Sequence, residues 1–494
     1  MKAGNDGSAQ PDILLMMVDQ MTAGAIRATG HPSAITPNLD RLVRSSVSFV
    51  NAYSNSPLCV PARASFMTGR LPRSTGVFDN GSELPASAPT IAHHLQRAGY
   101  RTILAGKMHF VGPDQHHGFR ERLTGDISLP GLTLTPDWRR GAYPNGGSSV
   151  GRLKEPNVVD WTLQLAFDEE VVSSALARLR RLRQEREKFF LCVSLSHPHD
   201  PFQITKEYWD RYEGVPVPQP FAPATALDRM HPYNQWIQTH HEADRYRLSD
   251  AEVEGNRRAY LAMASYVDDK VGRLLDELER LGLEETVVVF TSDHGEMLGE
   301  HGMWFKRTFF DPAAKVPLLI RWPARLRPER REEVVSLVDL SATLLEVGAV
   351  PEAKEWIADM DGASLLPLLD NRSGDWKNGA IGEYYAEGAV EPMLYLRKDR
   401  FKYVYVHGEE PLLFDLVADP LELDDLAWRT EYREVREGLH AELLAGVDIE
   451  ELRDRILRSQ RERLAIVEAY PDERLAWAHR PERDALELYG RAKK

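Results

Sequence analysis

Short unbroken apolar runs alternate with amphipathic stretches over the first two-thirds of the chain. ILLMMV (13–18), RTILAG (101–106), FFLCVSLS (189–196) and TVVVFTS (286–292) read as strands buried on both faces. Between them, apolar positions recur at helical spacing. TPNLDRLVRSS (36–46) begins with Thr36 as cap and Pro37 at the first helical position. Thr90 to Ala98 ends at Gly99, and a long helix is expected over 160–187. Ser249 and Glu252 have capping-box spacing. Behind them Tyr260, Met263, Val267, Val271, Leu274, Leu278 and Leu281 form one stripe, read as core packing, which Gly282 ends. Such alternation predicts an α/β fold: a large, mostly parallel sheet flanked by helices. From about Gly379 the pattern changes to short hairpin strands in IGEYYAEG, EPMLYLRKDRFKYVYVHG and PLLFDLVADP, followed by helices rich in Arg and Glu. A catalytic domain over 1–378 and a smaller C-terminal α+β domain over 379–494 are therefore expected.

Each early strand delivers polar or ionisable residues at its carboxyl end. Asp19 and Gln20 follow the first, Lys107 and His109 the second, His197 and His199 the third, and Asp293 and His294 the fourth. In open α/β sheets ligands bind along that edge, so these residues are expected to form one composite site. Asp19 and Asp293, with Gln20 and His294 beside them, suit one hard divalent cation: Ca²⁺, Mg²⁺ or Mn²⁺. The competing reading, a pair of loop-capping aspartates, explains each alone but not their shared edge. Of the two histidines in SHPHDP, one is assigned to proton transfer and one to structure.

Composition narrows the partners. The 494 residues are 43% hydrophobic and 28% charged, with a net charge of −14, which argues against nucleic acid or an anionic membrane as the main partner. The first twelve residues are polar, and the apolar run after them is too short to span a bilayer, so a cytoplasmic location is expected. Two cysteines make no disulfide framework. Cys192 reads as a buried strand thiol. Cys59 stands just ahead of a helix expected over 62–68 and ended by Gly69, where the dipole favours an anion or a nucleophile. His93–His94 fall within a helix, and His116–His117 and His240–His241 in polar loops; none of these pairs has the partners of a zinc site.

Cys59-Val-Pro61-Ala-Arg63, flanked by SFMTGRLP and joined by VDQ, GKMH, PHDP and SDHGEMLGEHGMWFK, resembles the signature of formylglycine-dependent sulfatases of the alkaline-phosphatase-like superfamily. SPLCVPARASFM, AHHLQRAGY, GKMHFVGPDQHHGF and the WFK stretch are most similar to the choline-sulfatase group. The resemblance covers nearly the whole chain. It implies that a maturation enzyme oxidises Cys59 to formylglycine, whose hydrate is the nucleophile. Asp19, Gln20, Asp293 and His294 would then bind one cation, Ca²⁺ or Mn²⁺ with Mg²⁺ as the third candidate, together with residue 59. It further implies that Arg63 holds the formylglycine and that Asn80, Lys107 and Lys306 contact the sulfate. His199 would protonate the leaving oxygen, and His109 would release the sulfated hemiacetal. A dimer or tetramer is implied too. Phosphonate monoester hydrolases, the competing class, carry Tyr and Thr where this chain has Lys107 and His109. A binding protein using an unmodified Cys59 is the third reading.

The resemblance to choline sulfatases departs around the expected quaternary-ammonium cage, which needs aromatic faces. Leu134, not tryptophan, precedes Thr135-Pro136-Asp137, and a Trp-Trp-Tyr-His-Asn stretch is reduced to GAYPN, leaving Tyr143 and Asn145. Relative to that group the tail is expected to be truncated after Tyr489, whereas Glu387 matches a family carboxylate near the cation. A small sulfate ester other than choline sulfate, an aryl or alkyl ester, is the expected substrate.

Overall fold

In a computed structural model, describing residues 10–128, 131–144, 148–370, 372 and 374–470, eight strands form one sheet. They are β1 (Ile13–Val18), β2 (Val47–Tyr53), β3 (Arg101–Gly106), β4 (Glu121–Arg122), β5 (Phe189–Ser194), β6 (Val287–Ser292), β7 (Leu318–Arg321) and β8 (Glu329–Ser336). Their order is β4-β3-β5-β1-β6-β7-β2-β8, and every pairing is parallel except those of β7. The alternating side chains of β1 show why an all-apolar run folds this way. Leu14, Met16 and Val18 enter one core, while Ile13, Leu15 and Met17 enter the other.

The helices used below are α1 (Pro37–Arg44), α2 (Cys59–Thr68), α3 (Ile91–Arg97), α4 (Leu163–Glu185), α5 (Pro232–His240), α6 (Asp250–Arg280), α7 (Leu337–Val347), α8 (Arg433–Leu443) and α9 (Ile449–Ala469). The long helix expected over 160–187 is shorter at both ends, because Thr162 caps Leu165 N–H and Arg186 turns left-handed. The capping box at Ser249 and Glu252 forms as expected. One correction concerns α2, which starts at Cys59 rather than at 62. Pro61 sits in its first turn, where the missing N–H has no intrahelical acceptor to lose. Gly69, at φ +69°, closes it. A second correction concerns His240 and His241. They end α5 and are buried, rather than lying in a polar loop. His117 is likewise buried, its ring centroid 4.4 Å from that of Phe110.

The expected hairpins form a second, antiparallel sheet of β9 (Gly379–Tyr384), β10 (Met393–Lys398), β11 (Phe401–Val406) and β12 (Leu412–Asp415), ordered β12-β11-β10-β9. Its core also takes Tyr53, Leu58 and Phe309, so the two sheets share buried contacts. Helix α9 returns to the first part of the chain. Arg463 donates to both carboxylate oxygens of Asp79 at 2.6 and 2.7 Å and to Thr135 Oγ1 at 2.8 Å. No helix among the described residues is long and apolar enough to cross a membrane.

Candidate active site

The carboxyl ends of β1, β3, β5 and β6 bring their ionisable residues to one edge, where α2 begins. Asp19, Cys59, Asp293 and His294 place one ligand-type atom each within 4.8 Å of one another, and all four are buried. Cys59 Sγ is 3.3 Å from His294 Nε2 and 3.8 Å from Asp19 Oδ1. His294 Nδ1 faces Gly295 O at 3.0 Å, a carbonyl that can only accept, so Nε2 presents its lone pair to the cluster. Two carboxylates, one imidazole nitrogen and the side chain of residue 59 form a donor set that fits a divalent cation. Gln20 lies beside this cluster at φ +65°. Its backbone N–H donates to Asp293 Oδ1 at 3.1 Å, while its amide oxygen accepts from Lys306 Nζ and its amide nitrogen donates to Glu296 and Asp200.

Arg63, one turn along α2, is 1% exposed and welds the helix to the strand ends. Its Nε donates to Asp293 Oδ2 at 2.8 Å, and its Nη1 donates to Lys107 O at 2.7 Å and to Ser194 Oγ at 2.9 Å. Gly106, at φ +102°, makes the turn that delivers Lys107; a Cβ there would lie 2.0 Å from Ser194 O. Lys107 Nζ pairs with Asp19 Oδ2. Burial alone would raise Asp19, but Lys107, His199 and Arg63 outweigh it and hold the carboxyl well below the usual range. Burial alone would lower Lys107, but Asp19, Cys59 and Asp293 together outweigh it and hold the ammonium above its usual value.

The remaining expected residues divide clearly. His199 joins the site: its Nε2 accepts from Lys306 Nζ at 2.6 Å, and its Nδ1 is 2.6 Å from Asp200 O. His197 does not join; its Nδ1 is 2.7 Å from the buried Asp168, the structural role expected for one of this pair. His109, at φ +56°, has neither ring nitrogen hydrogen-bonded among the described residues. Burial first, then Lys107 and Arg63, push its imidazole well below the usual value, so it is neutral. Asn80 Oδ1 accepts the Val60 N–H at 3.1 Å, which seats Asn80 at the start of α2. Cys192 is buried in β5, and burial pushes its thiol up to about 12. Asn145 and Tyr489 lie outside the described residues.

Two residues escaped the sequence reading. Glu387 pairs with Arg307, whose Nη2 donates to Glu387 Oε1 at 2.9 Å. Arg307 follows Lys306 as a second basic residue, and nothing in that dipeptide distinguishes it from a solvated cation. Trp138, one residue past the Thr135-Pro136-Asp137 turn, is buried and donates from Nε1 to Ala386 O at 3.2 Å.

The sulfatase family model matches residues 11–350. The chain belongs to the sulfatase family. This sulfatase is a sulfuric ester hydrolase. A second model, N-sulphoglucosamine sulphohydrolase, C-terminal, matches residues 299–448. Choline-sulfatase of Rhizobium meliloti (strain 1021) is 39% identical over 515 residues, spanning 98% of this chain and 96% of that protein. Arylsulfatase of Clostridium perfringens (strain 13 / Type A) is 29% identical over 462 residues, spanning 86% and 92%. Among solved structures, the phosphonate monoester hydrolase of Agrobacterium radiobacter superposes with a TM-score of 0.71 at 26% identity, covering 90% of this chain and 96% of that one. The fold is the alkaline-phosphatase-like fold expected from the sequence.

Proposed function

We propose that this sulfatase hydrolyses a small sulfate ester to an alcohol and inorganic sulfate, with Cys59 converted to formylglycine as the nucleophilic residue. The observation that carries the reading is Cys59 at the first turn of a buried helix, inside a four-donor cluster that fits a cation. The sulfatase family implies the divalent cation, which Asp19, Gln20, Asp293, His294 and residue 59 would hold. When bound, it supplies positive charge where oxyanion charge develops. Arg63 orients residue 59 by clamping Asp293 and the Lys107 carbonyl. Lys107, Lys306 and Asn80 surround the position of the sulfate oxygens and stabilise their charge. His199 is aimed by its Nδ1 contact to Asp200 O, leaving Nε2 to carry a proton to the leaving oxygen once Lys306 turns to the sulfate. His109, kept neutral, is the base that accepts a proton when the product sulfate is released.

The largely missing aromatic cage, with Leu134 before Thr135 and GAYPN after it, supports an ester other than choline sulfate. The division at residue 379, a cytoplasmic location, a maturation enzyme as partner and a homo-oligomer belong to the same reading. Phosphonate monoester or phosphodiester hydrolysis is the second reading, favoured by the likeness to the Agrobacterium radiobacter enzyme; Lys107 and His109 weigh against it. Mass spectrometry of the peptide containing Cys59 tests the nucleophile. Conversion is expected to remove about 18 Da. A thiol that persists after co-expression with a maturation enzyme refutes the mechanism. Turnover of 4-nitrophenyl sulfate against phenylphosphonate by converted protein separates the two ester classes.

A further inference from the structure

Next to Lys306 in the chain, Arg307 meets two other buried side chains around Ser148, with polar atoms to spare. The backbone N–H of Arg307 donates to Pro57 O at 3.2 Å, two residues from Cys59. Its Nη2 holds Glu387 Oε1 at 2.9 Å and Ser148 Oγ at 3.2 Å. His241 completes the group: its Nδ1 is 2.6 Å from Ser148 O, and its ring centroid is 4.9 Å from that of Phe305. Arg307, Glu387 and His241 are all more than nine-tenths buried. Yet Arg307 Nε and Nη1, Glu387 Oε2 and His241 Nε2 have no hydrogen-bond partner among the described residues. Buried polar atoms are rarely left unmatched in a folded protein, and each such group costs about 1–3 kcal/mol unless something pairs with it.

The chemistry of these atoms defines what would pair with them. Arg307 offers two donor atoms, Nε and Nη1, with three N–H bonds between them, beside the Tyr384 hydroxyl. Glu387 Oε2 offers an acceptor, and so does His241 Nε2, because Nδ1 must carry the ring proton that Ser148 O accepts. Burial first, then Arg307, hold His241 well below its usual value, consistent with a neutral ring. The Arg307–Glu387 pair carries no net charge. A quaternary ammonium has no polar hydrogen for the acceptors and no lone pair for the donors, and the carboxylate that would attract its charge is already compensated. A hydroxyl group donates once and accepts twice, so neighbouring hydroxyls match the set.

Resting on the sulfate-ester reading above, we infer that Arg307, Glu387 and His241 form the leaving-group subsite, and that it takes a neutral, polyhydroxylated alcohol such as a monosaccharide. Arg307 is then the specificity-determining residue that turns the site away from cationic esters.

Titration calorimetry on the Cys59→Ala protein tests this without turnover. D-glucose 6-sulfate is expected to bind at least about tenfold more tightly than choline sulfate. Arg307→Met, in the same background, removes the donors and uncovers the Glu387 charge; the ratio of the two dissociation constants is expected to shift about 30-fold towards choline sulfate. Glu387→Gln, which keeps shape without charge, guards against misfolding of the first variant and is expected to weaken the sugar ester while leaving choline sulfate no better bound. Tighter choline sulfate binding before either substitution, or a ratio that neither variant moves, overturns the subsite. Failure of the underlying reading shows itself separately, as an unmodified Cys59 and absent turnover in the unsubstituted enzyme.

Discussion

Replacing Arg463 by Met tests how much of the fastening of helix α9 to the active-site wall comes from its buried ion pair with Asp79. Asp79, fully buried, precedes Asn80, whose side chain accepts the Val60 N–H at the start of α2. Both Asp79 oxygens receive Arg463, which also holds Thr135. Removing one partner of a buried pair generally costs about 3–5 kcal/mol, because the other charge stays buried without compensation. Here the Gly81 N–H at 2.9 Å and the Ser82 hydroxyl at 3.2 Å still reach Asp79 Oδ1. The lower end, about 3 kcal/mol, is therefore expected. At roughly 1.4 kcal/mol per factor of ten, detachment of α9 becomes about 10²-fold more frequent. Hydrogen exchange of the amides over 449–469 reads this local opening directly. The double substitution Arg463→Met with Asp79→Asn removes both charges and is expected to recover most of the lost protection. An exchange increase below about fivefold, or effects that simply add in the double variant, refutes the fastening.

Lys306→Met is expected to lower kcat/KM for 4-nitrophenyl sulfate by roughly 10²–10³-fold, the usual cost of losing one preorganised oxyanion donor. Chelation is expected to lower the melting temperature as well as activity, and restoring a cation at about 100 times its dissociation constant to return about 2.7 kcal/mol of stability. Asp293→Asn should abolish that cation-dependent shift. Burial, then Arg97, lower His94 to about 4 from an ordinary 6.5. Between those values the unfolded chain binds more protons than the native one, so stability falls as pH drops from 6.5 to 4. His94→Phe should flatten the urea midpoint against pH in that window by up to one proton's worth. Gly106→Ala forces a side chain into a left-handed residue against Ser194 O, and should depress both the melting temperature and activity through Lys107.

What the sequence made legible follows from where each signal resides. Strands β1, β3, β5 and β6 lie inside the sheet with both faces covered, so burial wrote itself as continuous apolar runs. Because they are mutually parallel, the residues that follow them had to reach one edge, and the composite site was readable without any pairwise contact. Strand β8, ERREEVVS, carried no such signal: it has one neighbour, at the sheet edge, and its first residues are largely exposed, as charge on an edge strand requires. Helix α2 was read too short because all ten of its residues are buried and no polar face marks its phase. His240 and His241 read as loop residues beside the polar segment that follows, although Arg307 and Ser148, brought in from elsewhere, decide their surroundings. The least legible feature was the compensation of Glu387 by Arg307, eighty positions apart. Each residue alone reads as an ordinary charge. Only their juxtaposition shows the Glu387 charge to be paired. The reaction core is thus fixed by strand topology and can be read from the chain. The pairing of Glu387 with Arg307 joins two loops, and the chain reveals it only when folded.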